Sequence, residues 1–303
     1  MAEENVSLSL IKEVRERTGA GLMDCKKALV ENNLDVSKSI DWLREKGIAK
    51  VAKKAETRIA AEGSTTVIVE GNKAVLLEIN CETDFVAAND IFKELVSKVA
   101  KLVLDNEPKT KEEAMELKGK DGKSVSDYFL DAGIKFGEKL DFRRFVIVKK
   151  NTNQIFGEYV HLGGRISSLA VIEGGDSEVA KGVVLNVCSL NPTYITKEDI
   201  PEAEIEKEMA IQLEASKNDP SFSKKPEDIQ KKIIRGRVEK TFNESVLTEG
   251  AYILDDSLTI GQLLNQKKAK VISTYRYEVG EGIEKRQDDF AAEVAAQANM
   301  AKK

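Results

Sequence analysis

The chain has 303 residues, 41% of them hydrophobic and 33% charged, with a formal net charge of −5. That is enough chain for a substantial core and two or more domains, and its interspersed charges leave no long basic block for strong non-specific nucleic-acid binding. No stretch approaches the roughly 18 apolar residues of a membrane span, and no apolar signal stretch opens the chain. The three cysteines, Cys25, Cys81 and Cys188, are far apart and form no CxxC. Disulfides and a structural zinc site are therefore not expected, and a reducing cytoplasm fits best.

Within residues 6–17, Leu10, Ile11 and Val14 recur at helical spacing, and Thr18–Gly21 breaks that helix. A second helix carries Leu22, Cys25, Ala28 and Leu29 on one face. Asp35 is a good N-cap for a third, which presents Val36, Ile40 and Leu43 with Trp42 beside them. These read as a three-helix bundle, and the basic run AKVAKKAETR at 49–58 reads as a linker.

TTVIVE and KAVLLEIN flank Gly71-Asn72, a good two-residue hairpin turn. A helix from about Asp90 to Leu104 has Ile91, Leu95, Val99 and Leu102 on one face, and another runs from about Val125 to Gly137. FRRFVIVKK at 142–150 is a strand, QIFGEYVHL and RISSLAVIEG form a second hairpin, and a helix follows at 178–190. The unit of hairpin then helix thus occurs twice, which points to two related α+β subdomains with antiparallel sheets. Prolines then punctuate helices at 202–217 and 227–248. Ile205, Met209 and Leu213 line one, and Ile229, Ile233, Phe242 and Val246 line the other, as in a projecting antiparallel helical hairpin. SLTIGQLL gives a short helix, and KVISTYRYEVG resumes a strand that rejoins the second sheet. Phe290, Val294 and Ala298 predict a C-terminal helix. The expected division is 1–54, 55–140, 141–196 with 249–280, 197–248 and 281–303.

Catalytic chemistry is weakly represented. His161 is the only histidine, and between strands it reads more readily as structural. Cys81 would need a base and a lowered pKa to act as a nucleophile, and its alternating strand favours a buried thiol. LKGKDGKS at 117–124 ends like a phosphate loop, but Leu117 stands where GxxxxGKS needs its first glycine. Interaction surfaces are better supported. Gly19 and Gly21 can be plain turn formers or can expose Leu22 and Met23, flanked by Arg15 and Lys26. Adjacent helical side chains diverge by about 100°, so one of that pair is expected in the core and not both. In EINCETDFVAAND, Ile79 and Cys81 alternate with Glu78, Asn80 and Glu82, then Thr83, Asp84, Phe85 and Val86 break the pattern. Asn89 and Asp90 can cap the next helix. The pattern leaves Phe85 open between core and surface.

VRERTGAGLMDCKKAL at 14–29 and EINCETDFVA at 78–87 closely resemble the two signature stretches of the bacterial elongation factor Ts family. GQLL at 261–264, RYEVGEGIEK and DFAAEVAAQ extend the resemblance over essentially the whole chain. Val14 stands where that family usually has Leu, and Ala88 where it often has a basic residue or Asn, which puts one charge contact in doubt. The resemblance implies an α+β fold with a ubiquitin-associated-like N-terminal bundle. It implies a cytoplasmic guanine-nucleotide exchange factor for elongation factor Tu in its GDP form, without an active site or cofactor of its own. Thr83, Asp84, Phe85 and Val86 would enter the partner's GTPase domain and disturb its magnesium and phosphate sites. Arg15, Leu22, Met23 and Lys26 would make an N-terminal contact, and His161, Ile253 and Leu254 would face another domain of the partner. Members differ in whether the complex dimerises, so that stays open. The competing readings are a thiol-dependent enzyme using Cys81, which predicts covalent chemistry lost on Cys81→Ala, and an adaptor or chaperone-like module that leaves GDP release unaffected.

Overall fold

A computed structural model describes residues 6–18, 20–55, 58–216 and 220–284. The chain opens with α1 (Leu8–Thr18), α2 (Leu22–Glu31) and α3 (Val36–Ala55). They bury Ile11, Val14, Cys25, Ala28, Leu29 and Leu43 in one small core. Most of the basic stretch expected to be a linker is helical, because α3 runs on to Ala55. Gly47 of α3 meets the next unit closely. A Cβ there would lie 2.7 Å from Ile134 Cδ1, so any larger residue would have to push that side chain aside. Arg44 adds an ion pair to Asp127 at 2.8 Å.

Next come β1 (Glu62–Glu70), β2 (Lys73–Cys81), α4 (Asp84–Ala88), α5 (Asp90–Asn106), α6 (Lys111–Glu116), α7 (Val125–Phe136) and β3 (Asp141–Lys149). The sheet order is β1-β2-β3, all antiparallel. This corrects the expected division after residue 140. Strand 141–149 completes the first sheet against β2 and does not begin the second unit. The second sheet is β4 (Gln154–His161), β5 (Ile166–Glu173) and β8 (Lys270–Glu278), in that order and antiparallel. Between its strands lie α8 (Ser177–Leu190), α9 (Glu202–Ser216), α10 (Pro220–Ser223), α11 (Glu227–Asn243), the short pair β6 (Ala251–Tyr252) and β7 (Asp255–Thr259), and α12 (Ile260–Lys267). The repeat is thus a hairpin, a helical excursion and a returning third strand.

The two sheets pack face to face. Val67, Ala74 and Leu76 of one meet Leu169 and Val171 of the other. The Thr65 N–H donates to the Gly164 carbonyl at 2.7 Å, and its hydroxyl donates to Ser167 Oγ at 2.8 Å. The outer faces are covered by helices. Val75, Leu77, Ile79 and Cys81 pack with α5 and α7, while Ala170 and Ile172 pack with α8 and α12. The central strands β2 and β5 are therefore buried on both faces and read as nearly continuous apolar runs. The polar side of β2 is no exception, since Glu78 and Asn80 are both 0% exposed.

A bulge explains how Glu78 is tolerated. The register slips so that Glu78 faces Arg144 while Ile79 faces Phe142, which leaves Arg143 as the extra residue. Both arginines then reach the same carboxylate, Arg143 Nη1 at 2.9 Å and Arg144 Nε at 2.6 Å. The Gly280 N–H adds a third bond at 2.8 Å, from beyond β8.

The helical hairpin has a thin seam. Phe222, Ile234 and Val238 are buried, with Ile205, Ile233 and Phe242 partly so. Met209, Leu213 and Ile229, expected in the seam, are exposed, and Val246 is buried beyond the end of α11. The expected helix through Phe290, Val294 and Ala298 lies outside the described residues. No helix among the described residues is long and apolar enough to cross a membrane.

Two carboxylates couple the first unit to pH. Hydrogen bonds from Lys149 and Lys73 hold Glu107 down to about 2, and the Tyr128 hydroxyl with Lys98 holds Asp121 down to about 2. Both are depressed below ordinary carboxylate values near 4, so their stabilisation is complete above about pH 4 and fades as pH falls towards about 2. Glu107→Gln is expected to melt lower than the parent at neutral pH, with the gap closing across that acid window. Thermal unfolding measured as a function of pH checks this.

Candidate functional site

Residues 78–90 turn from strand to helix in two capped steps. Cys81 ends β2 inside the core. Thr83 has extended backbone, and its hydroxyl accepts from the Val86 N–H at 3.3 Å, which caps α4. Asn89 ends α4 and caps α5 through the Ile91 N–H at 3.0 Å. In so short a helix each residue points its own way. Val86 is buried against the first sheet, whereas Asp84 and Phe85 face outward. Phe85 is 84% exposed, the most exposed large hydrophobic side chain among the described residues. Leaving a phenyl in water forfeits about 1.5–3 kcal/mol of burial, so the fold itself does not use Phe85. Of the four residues assigned to this site, Val86 is an anchor and Thr83 a half-buried cap. The projecting groups are Asp84 and Phe85.

This tip is tied to the α7–β3 turn by two carboxylates. Glu138 Oε2 accepts from the backbone N–H groups of Glu82 and Thr83, both at 3.1 Å, and Glu138 Oε1 accepts from the Thr83 hydroxyl at 2.7 Å. In return, Glu82 accepts from the Lys139 N–H at 2.5 Å and from Arg58 at 2.8 Å. The Cys81 thiol donates to the Thr83 carbonyl at 3.1 Å. Sequence reasoning missed Glu138. It lies 55 residues from Thr83, and no local pattern announces such a partner.

The N-terminal group stands on the bundle. Leu22 is 47% and Met23 74% exposed in the first turn of α2, so the expectation that one is core fails. Ala20 and Cys25 fill that corner instead. Arg15 is exposed on α1 and Lys26 is half-buried. The third group sits on the second unit. His161 ends β4 half-buried, with Nδ1 3.1 Å from the Tyr159 hydroxyl. Ile253 and Leu254 are exposed at the turn between β6 and β7. Buried Asn186 of α8 braces that turn, donating to the Ala251 carbonyl at 2.6 Å and accepting from the Ile253 N–H at 3.0 Å. The candidate residues therefore lie in three regions of the fold: the α4 tip, helices α1 and α2 of the bundle, and, in the second unit, the end of β4 and the β6–β7 turn.

Neither enzyme-like motif is arranged for chemistry. Burial, then the nearby Glu138 charge, pushes the Cys81 thiol up to about 12, which removes the thiolate a nucleophile needs. Native protein at pH 8 should resist a thiol reagent at Cys81 and react there only once unfolded, as mass spectrometry of alkylated peptides would read. In the loop of residues 117–124, the Gly119 N–H donates to the Lys123 carbonyl and the Gly122 N–H to the Gly119 carbonyl. The Ser124 hydroxyl caps α7. Those donors are spent inside the loop and cannot cradle a phosphate.

Exposed apolar groups on α4, on α2 and at the β6–β7 turn describe a surface for docking. Comparison with known proteins agrees in kind. A family profile described as Elongation factor TS matches residues 82–281, which contain the α4 tip, the Glu138 turn and the β6–β7 turn. A protein named Elongation factor Ts from Acholeplasma laidlawii (strain PG-8A) is 46% identical over 294 residues, covering 97% of this chain and 99% of its own length. The chain belongs to the elongation factor Ts family.

Proposed function

We propose that this protein is a cytoplasmic guanine-nucleotide exchange factor. It binds elongation factor Tu carrying GDP and promotes GDP release by disturbing the magnesium and phosphate sites. The observation that carries the reading is Phe85, 84% exposed on a short helix whose base is fixed by Glu138. In this reading Phe85 wedges into the partner's GTPase domain with Asp84 beside it, while Thr83 and Val86 hold the wedge in place. The N-terminal unit serves as a ubiquitin-associated-like docking module through Arg15, Leu22, Met23 and Lys26. His161, Ile253 and Leu254 engage a second domain of the partner.

A GTPase holds its nucleotide through backbone N–H groups, a lysine and magnesium. An exchange factor need not touch the base. It must bind best to a form of the partner in which those phosphate and magnesium contacts are deformed, and the resulting coupling is reciprocal. Burying one Phe supplies about 1.5–3 kcal/mol, whereas nanomolar nucleotide binding is worth about 12 kcal/mol. One wedge cannot provide that difference, so the other two patches must anchor an interface on the order of 1,600 Å² or more. Fluorescent GDP preloaded on purified elongation factor Tu should be released faster when this protein is added. Release at the uncatalysed rate would overturn the proposal. Light scattering of the same mixture separates a one-to-one complex from a dimer of complexes.

A further inference from the structure

We infer that Glu138 is a positioning residue for the Phe85 wedge, an inference that rests on the exchange reading above. Its carboxylate makes no salt bridge among the described residues. Both of its oxygens are given to the backbone and hydroxyl at the base of α4. Two consecutive N–H groups, of Glu82 and Thr83, converge on Oε2, which fixes the direction in which the chain leaves β2. The Thr83 hydroxyl donates its only hydrogen to Oε1. A hydroxyl has one hydrogen and two lone pairs, so this bond leaves the lone pairs to accept the Val86 N–H, the bond that caps α4. Hydrogen bonds to a charged acceptor are the stronger kind. The relay therefore runs from Glu138 through Thr83 to the cap, and the cap sets where Phe85 points.

Glu138 is half-buried and supported on the other side by the reciprocal bond from the Lys139 N–H to Glu82. Without the carboxylate, the two N–H groups and the hydroxyl lose their shared acceptor. The wedge must then be ordered during binding, and part of the interface energy is spent on that ordering. The cost falls on catalysis more than on capture, because the two other patches are untouched.

The test compares the full-length protein with Glu138→Ala, Glu138→Gln, Phe85→Ala and the double variant Phe85→Ala/Glu138→Ala in release of fluorescent GDP from elongation factor Tu. Glu138→Ala is expected to lower the rate at saturating factor by about tenfold, with a smaller change in the half-saturating concentration. Glu138→Gln should recover part of the loss, since its carbonyl still accepts the two N–H groups while its amide cannot accept the hydroxyl proton. In the double variant, the added loss over Phe85→Ala should be within about twofold, because the two residues act as one unit. Amide hydrogen exchange of the free protein gives an independent readout. Protection at Glu82 and Thr83 should fall in Glu138→Ala while the sheet amides keep theirs. A Glu138→Ala variant as fast as the parent, or losses that add in the double variant, would overturn the inference and leave the exchange reading standing. A parent protein that fails to accelerate release would instead overturn the reading beneath it.

Discussion

Phe85→Ala is expected to lower the maximal rate of stimulated GDP release by about ten- to a hundred-fold while the protein stays folded. The magnitude follows from the phenyl alone, whose burial against a partner is worth about 1.5–3 kcal/mol. Its direction follows from where that energy is spent. Phe85 contributes little buried surface to the free protein, so Ala is expected to leave the unfolding midpoint nearly unchanged. On the proposed reading the N-terminal patch and the β6–β7 turn still capture the partner, so the affinity of the nucleotide-free complex is expected to fall by less than the release rate does. An interaction made mainly in the transition state lowers the turnover rate, whereas one made throughout lowers affinity. Stopped-flow release at saturating factor, set beside the dissociation constant of the nucleotide-free complex, separates the two. Equal losses in both would make Phe85 an ordinary anchor, and no loss in either would remove it from the mechanism.

Glu78→Ala should be the most damaging single change to stability. The carboxylate is wholly buried and accepts from Arg143, Arg144, Asn80 and the Gly280 N–H. Replacing a buried ion pair with apolar groups can be neutral, but removing one partner strands the other. That usually costs about 3–5 kcal/mol. Here two guanidiniums lose their shared carboxylate, but Arg144 keeps Glu281 and the Glu278 carbonyl, Arg143 keeps the Glu281 carbonyl, and 20% and 30% of their side chains are exposed, so part of the penalty is relieved. Against a total stability of roughly 5–15 kcal/mol the loss is large, and it corresponds to about 10 °C in Tm. Glu78→Gln keeps an acceptor for the Gly280 N–H but loses the charge, so it should fall between Ala and the parent. Urea and thermal unfolding provide the check. Glu78 faces the second sheet, away from α4, so exchange activity measured well below the melting point should change less than stability does.

Much of this architecture was legible because local signals agreed. Gly71-Asn72 between two alternating runs marks the first hairpin, and Asn89 and Asp35 mark helix starts at which caps or first turns are found. The errors share one cause, the dependence of burial on partners far away in sequence. The sequence pattern groups strand 141–149 with the following hairpin because nothing local records that it pairs with β2. Glu78 and Asn80 alternate with apolar residues as a solvent-facing row would, and only the second sheet, packed on that side, buries them. Leu22 has helical spacing to Cys25 and Leu29, but the chain corner at Ala20 takes the space it would fill. For the candidate site, the break in alternation at Thr83 locates the tip, while Glu138 and Asn186, which support two of the patches, carry no sequence mark of that role.

The face-to-face sheets also make the molecule a caliper. One jaw, the α4 tip, stands on the helix-covered side of the first sheet. The other, the β6–β7 turn, stands on the helix-covered side of the second. Between them lie two packed layers about 10 Å apart, pinned by the Thr65 bonds to Gly164 and Ser167 and by the Glu78 cluster. The opening of the jaws is therefore a constant of the fold. A partner with hinged domains fits it at one hinge angle and is strained at others. On the exchange reading proposed above, selection of the partner's conformational state would then reside in the thickness of the sandwich as much as in any residue that touches the partner.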